Sequence, residues 1–216
     1  MAYQLFLALH ILAGVLSLLT APIALVAKKG GKVHRTSGLI FYYSMLVVSI
    51  SAFIVSYVHF NGGSIFLRGI GIFSFYLVAA GKRILARKNI LNGQQSEPID
   101  YALTGLIISF VVFCFYYGYQ IGSPVLFVFG TLSLRFVYED VVMLRHKPTF
   151  QLYWLTGHIS RMCGGAIASF TAFLVVNSLH LFGDGGGIVA WLLPTAIGTP
   201  IVIYYSRKTK KSVLEK

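Results

Sequence analysis

Long apolar runs separated by short polar stretches set the pattern of this chain. A helix that crosses the hydrocarbon core, about 30 Å thick, needs roughly 20 mostly apolar residues rising about 1.5 Å each. Seven runs meet that requirement: Gln4 to Ala27, Ser37 to Val58, Ser64 to Gly81, Asp100 to Ile121, Pro124 to Leu144, Gln151 to Asn177 and Gly187 to Ser206. The expected fold is all-α, a polytopic transmembrane bundle of about seven helices that forms one domain over residues 1–216. The connecting stretches are too short to house a soluble domain. Ser96-Glu97-Pro98 places a capping serine, an acid and an N1 proline at the start of the fourth helix.

Composition agrees with a bilayer as the partner. Of 216 residues, 56% are hydrophobic and 11% charged, too little polar surface to keep a globule in water. The formal charge of +12 resides in short clusters between apolar runs, which reads as basic membrane loops and not as a nucleic-acid surface. Cys114 and Cys163 fall inside apolar runs and match no Cys-x-x-Cys pattern, so both read as reduced packing residues. The first apolar run is too long for a signal peptide and is expected to stay as helix one.

Lysine and arginine sort almost completely to alternate loops. Lys28, Lys29, Lys32 and Arg35 fill the first loop, Lys82, Arg83, Arg87 and Lys88 the third, Arg145 and Lys147 the fifth, and further lysines and an arginine follow Tyr205. The loops at residues 59–63, 122–123 and 178–186 contain none. Because cytoplasmic loops retain basic residues, this predicts an external N-terminus and a cytoplasmic C-terminus.

Only Arg68, Arg135 and Arg161 of the basic residues lie inside apolar segments. Intramembrane charge is costly and faces the bundle interior, so these positions are where chemistry is sought. Arg135 and Arg161 each lie ten residues in from the cytoplasmic ends of helices five and six, at a common depth of roughly 15 Å. Glu139, Asp140 and His158 lie nearer the cytoplasm, and the hairpin through Lys147 and Pro148 brings the five together as a buried polar cluster. Arg135 with Glu139, and Arg161 with Asp140, are the expected ion pairs. His158, Arg161, Gly165, Ala168 and Ala172 share one face of helix six, and Gly164, Ala168 and Ala172 form a small-xxx-small run. Helix one repeats the theme with His10, Gly14, Ser17 and Ala21.

None of the six histidines has a second at i+3 or i+4, so no metal site is expected. Haem b needs only two histidines on different helices, which leaves His34 with His158, or His10 with His59 or His180. Arg68 lies near the outer surface, within reach of Asp184. The stretch from Asp184 to Gly187 reads as a flexible turn, and Pro194, Gly198 and Pro200 as a packed kink in helix seven. Tyr42, Tyr43, Tyr116, Tyr117 and Tyr119 read as an interfacial belt.

His10 with Gly14, the His34-Arg35-x-x-Gly38 motif and His158-Ile-x-Arg161-Met162 resemble a family of bacterial predicted membrane proteins classed only as a domain of unknown function. That resemblance implies the fold, a bacterial inner membrane and a set of marked residues, His10, Gly14, His34, Arg35 and Gly38, and no activity. A looser likeness to cytochrome b561 proteins, in which haem sits between inward histidines, supplies the haem alternative. The leading expectation is a non-enzymatic bundle, with no catalytic residue, that moves or senses a small ion or solute through the polar cluster. The others are a haem b electron carrier and a scaffold whose buried charges only fix packing.

Overall fold

The computed structural model describes residues 2–58, 62–183 and 187–214. The chain is all-α, and no strand occurs among the described residues. Its helices are α1 (Ala2–Val26), α2 (Lys32–Val58), α3 (Gly62–Arg83), α4 (Pro98–Ile121), α5 (Pro124–Leu144), α6 (Tyr153–Val176), the short α7 (Ser178–Phe182) and α8 (Gly187–Leu214). Two 3₁₀ turns, Ile84–Ala86 and Ile90–Asn92, lie between α3 and α4. Six of the helices are long and apolar enough to cross a membrane, namely α1, α2, α3, α4, α6 and α8. The seventh long helix, α5, has comparable length but carries Arg135, Glu139 and Asp140.

Several boundaries differ from the sequence reading. α2 starts at Lys32, so His34 and Arg35 belong to its first turns and not to a loop. There they close the end of α1: His34 Nδ1 donates to the Ala24 carbonyl at 2.9 Å, and Lys29 Nζ reaches the Ala24 and Leu25 carbonyls. Those are carbonyls of the last turn, which have no partner within their own helix. Arg35 Nε donates to the Gly30 carbonyl at 2.7 Å across a turn that needs glycine, with φ +75° at Gly30. α8 runs on past Ser206 to Leu214 and stays helical through Pro194 and Pro200. Gly198 fits there against Ile167 of α6, where a Cβ would come within 2.5 Å of that side chain. The residue before α4 is Glu97, whose N–H donates to Asp100 at 2.8 Å, while Ser96 instead accepts from Arg87. Tyr42 and Tyr43 lie well inside α2 and not at its end.

α3 is the central helix, with 56% of its most apolar stretch buried, against 6% for α8 at the edge. Its sequence explains this. Phe73, Tyr76, Leu77 and Ala80 form one stripe against Leu103, Ile107, Phe110 and Cys114 of α4, with Leu126 of α5 and Ala168 of α6. Val78 turns toward a second cluster with Ala21, Phe41, Met45 and Ala166 from α1, α2 and α6. Consecutive helices pack as antiparallel pairs, α1 on α2, α2 on α3 and α4 on α5, while α6 lies along both α3 and α8. α5 and α6 do not pack closely on each other. Outside, large apolar side chains such as Val26, Val112, Tyr119 and Val176 are exposed, as a surface in contact with lipid requires. Cys114 and Cys163 are free thiols.

The small residues of α6 are contact positions. A Cβ on Gly164 would meet Leu77 at 3.2 Å, and one on Gly165 would meet Val78 at 3.1 Å. Gly14 and Gly38 differ, because a Cβ at either meets nothing within 4 Å. The inward stripe on α1 therefore owes nothing to close approach at Gly14; Ser17 is buried there and donates back to the Gly14 carbonyl. The contrast is testable by thermal unfolding in detergent. Gly81→Ala places a methyl 3.1 Å from Cβ of Arg161 and is expected to cost about 1–3 kcal/mol. Gly14→Ala is expected to leave stability unchanged or raise it by up to about 1 kcal/mol. Equal losses at both positions would contradict the packing described.

Candidate functional site

Arg161 is the largest fully buried side chain described in the protein. It lies eight residues into α6, about 12 Å from the start of that helix. At such depth a guanidinium has no water to donate to, so every nitrogen must find a protein acceptor. The fold supplies them from three helices. Nη2 donates to Asp140 Oδ1 at 2.6 Å, and Nη1 to Glu139 Oε2 at 3.0 Å and the Gly157 carbonyl at 3.3 Å. Nε donates to the Tyr76 hydroxyl at 3.3 Å, and Tyr76 in turn donates to Asp140 Oδ2 at 2.8 Å. The Phe136 ring lies 5.4 Å from the guanidinium carbon. Asp140 is thus held through both oxygens, by α6 on one and by α3 on the other.

Both expected ion pairs form. Arg135 Nη2 meets Glu139 Oε1 at 2.7 Å within one face of α5, and Arg161 meets Asp140 between helices. Arg135 itself is not buried: 62% of its side chain is exposed, on the outer side of α5. His158 does not join the cluster. Three residues before Arg161, it turns to the end of α3, and its Nδ1–H donates to the Gly81 carbonyl at 2.7 Å. Tyr76 is the member that the sequence reading missed. A lone tyrosine in the middle of an apolar helix, away from either interface, was the available signal, because a buried hydroxyl needs a partner.

A second ion network lies toward the basic-loop end. Arg83 meets Asp100 at 2.9 Å and Glu97 at 2.8 Å, while Arg87 meets Asp100 and donates to Ser96 at 2.9 Å. Tyr153 ties this end to α6, donating to the Arg87 carbonyl and accepting from Ile90 N–H at 3.0 Å. Arg87, expected in an open loop, is almost fully buried, and its Nε has no partner. Between the two networks lies a cavity of about 30 Å³ lined by Arg83, Arg87, Asp100, Thr104, Asp140 and Arg161. Its walls mix these polar groups with apolar side chains such as Ile84, Leu103 and Leu144, and it is large enough for a water molecule.

At the opposite end of the bundle is a chamber of about 410 Å³ whose lining is overwhelmingly apolar. Ile70 and Phe73 of α3, Phe110 of α4, Phe129 of α5, Ala172 of α6 and Trp191 of α8 contribute to its walls. Arg68 stands beside it, donating to the carbonyl of the lining residue Ser56 at 3.1 Å and stacking on Tyr57 at 3.9 Å. Its expected partner Asp184, like His59, lies outside the described residues.

The histidines are anchored alike. His10 Nδ1 bonds to the Val48 carbonyl at 3.2 Å and Ser51 Oγ at 3.0 Å, His34 Nδ1 to Ala24, and His158 Nδ1 to Gly81. A carbonyl only accepts, so Nδ1 carries a proton in each. His180 is exposed on α7. No cluster of three or more histidine, cysteine or carboxylate side chains that could hold a metal ion occurs among the described residues.

Burial fixes the expected order of mutational effects, measured as unfolding free energy in detergent. Arg161→Ala leaves two carboxylates short of a partner and is expected to cost about 3–5 kcal/mol. Adding Asp140→Ala should recover part of that loss, because Glu139 still has Arg135. Arg135→Ala, at an exposed pair, is expected to cost about 0–1 kcal/mol. Similar costs for Arg135→Ala and Arg161→Ala would contradict the geometry.

Compared with models of protein families, with curated proteins and with solved structures, the chain matches none.

Proposed function

We propose that this protein is a multi-pass component of a bacterial inner membrane, with its N-terminus outside and its C-terminus in the cytoplasm, that moves or senses a small solute. The orientation rests on the sorting of lysine and arginine. The observation that carries the functional reading is the alignment of three features along the same helices. On α3 the order is Phe73 at the chamber, Tyr76 in the cluster, then Arg83 at the small cavity, with Arg87 just beyond the following 3₁₀ turn. On α5 it is Phe129, Asp140 and Met143, and on α6 it is Ala172 and then Arg161. An apolar chamber toward one face, a charge knot below it and a water-sized cavity bordered by Arg83, Arg87 and Asp100 toward the other face describe a path closed at the knot. In this reading Arg161 is the gate. A shift of α5 against α6 would break its bonds to Glu139 and Asp140 together.

Proteoliposomes test it. A single-chain amphiphile carrying an NBD fluorophore, with dithionite added outside, is expected to cross faster than in protein-free vesicles. Arg161→Lys, which keeps the charge but cannot reach three partners in a fork, should change that rate by about tenfold. Rates equal to protein-free vesicles for both proteins would sink the reading and favour a scaffold in which the cluster only fixes packing.

A second reading, a haem b protein, is favoured by one observation. His34 on α2 and His158 on α6 each hold Nδ1–H on a carbonyl of another helix, the kind of bond that orients a ligating imidazole. Haem held there would supply one-electron chemistry. The visible spectrum of the purified protein decides between the readings. The solute reading predicts no Soret band; a band lost in His34→Ala or His158→Ala would replace it with the haem reading.

A further inference from the structure

We infer that the chamber is a binding site for one hydrocarbon chain of a membrane amphiphile. Its depth follows from α6, where the lining residues run from Ala168 to Val176, about 12 Å of helix. The chamber holds about 410 Å³ and is open along part of its wall, a slot and not a closed cavity. The walls are aliphatic and aromatic, with Phe73 stacked on Phe110 at 4.6 Å and Phe129 set edge-on to Trp191 at 6.3 Å. Two hydroxyls among the lining residues are already committed to their own helices. Ser56 donates to the Phe53 carbonyl at 2.6 Å, and Thr171 to the Ile167 carbonyl at 2.9 Å.

Those facts select the ligand class. A polar solute entering the slot would give up water and find little to bond to in return. Water finds few partners in such a lining, and apolar cavities of less than half this volume stay dry and take up apolar molecules. A hydrocarbon chain meets the walls by contact alone, and the bilayer around the bundle supplies it. The wall between α5 and α8 is the natural entry: these helices touch only briefly, at the Phe129 and Trp191 rings. Arg68 and Tyr57 stand where the head of such a molecule would lie, beside Ser56. This inference takes the chamber from the reading above but does not need the ligand to be moved.

Trp191 reports occupancy directly. The chain has two tryptophans, and Trp154→Phe leaves Trp191 as the sole emitter. The full-length protein in detergent is titrated with 9,10-dibromostearate in one arm and with a dibromostearoyl phospholipid in the other, because a free acid and a lipid tail share this chemistry. Quenching that saturates at about one probe per protein in either arm is expected, the tighter arm naming the source. Ala172→Phe and Ile70→Phe fill the slot from opposite walls and should each weaken that quenching at least fivefold, so the test survives if one of them fails to fold. Ile108→Phe, on the exposed face of α4, should leave it as in the parent. Quenching that rises without saturation in both arms, or that both folded filling variants leave unchanged, would overturn the inference. Saturable quenching without movement across vesicles would sink the transport reading and leave the binding site standing.

Discussion

A guanidinium that has left water must donate its hydrogens to something, and in this bundle that requirement falls on Arg161. Its acceptors come from α3, α5 and its own helix, and α5, which packs along α4, meets α6 through side chains, these bonds among them. The interaction is therefore also a positional restraint. Tyr76 strengthens it by bonding Arg161 and Asp140 at once, so the triangle of arginine, tyrosine and carboxylate closes through all three helices. Truncating either side strands a charge in a low-dielectric interior, which costs more than the intact pair contributes. Such an element is rigid while complete and prone to rearrange as a unit when one bond is lost.

The rest of the interior is arranged around that point. Toward the basic loops, Arg83, Arg87, Glu97 and Asp100 tie the turns after α3 to the start of α4, and Tyr153 draws α6 into the same network. In the other direction polarity disappears within one turn of α3, from Tyr76 to Phe73, and the chamber begins. The bundle is thus divided across its thickness into an apolar half with open volume and an ion-paired half with almost none. At the chamber end the charge of Arg68 is held on the Tyr57 ring and the Ser56 carbonyl.

Much of this was legible in the sequence. Helix length and apolar runs locate every long helix, because the bilayer imposes one length scale on all of them. The tight hairpin through Lys147 and Pro148 was enough to pair Arg161 with Asp140, and four-residue spacing to pair Arg135 with Glu139. What sequence spacing cannot give is azimuth. Arg135 and Glu139 share a face, yet Arg135 points outward while Glu139 reaches Arg161. His158 sits three residues from Arg161 and still bonds to α3. Tyr76 was hidden because α3 enters the cluster from a distant part of the chain, and Arg87 because a basic residue near a turn reads as solvated until the fold buries it. The marked His34 and Arg35 proved to serve the α1–α2 turn through carbonyls, a role that follows only once α2 is seen to begin at Lys32.

The central claim is that the Arg161 bonds hold α5 in place against α6. Pulsed electron spin resonance between labels on exposed Leu134 of α5 and exposed Phe170 of α6, with Cys114 and Cys163 replaced by alanine, measures this directly. The account predicts one narrow distance distribution in the parent and in Arg135→Met, and a broadened, longer distribution in Arg161→Met. An unchanged narrow distribution in Arg161→Met would contradict it.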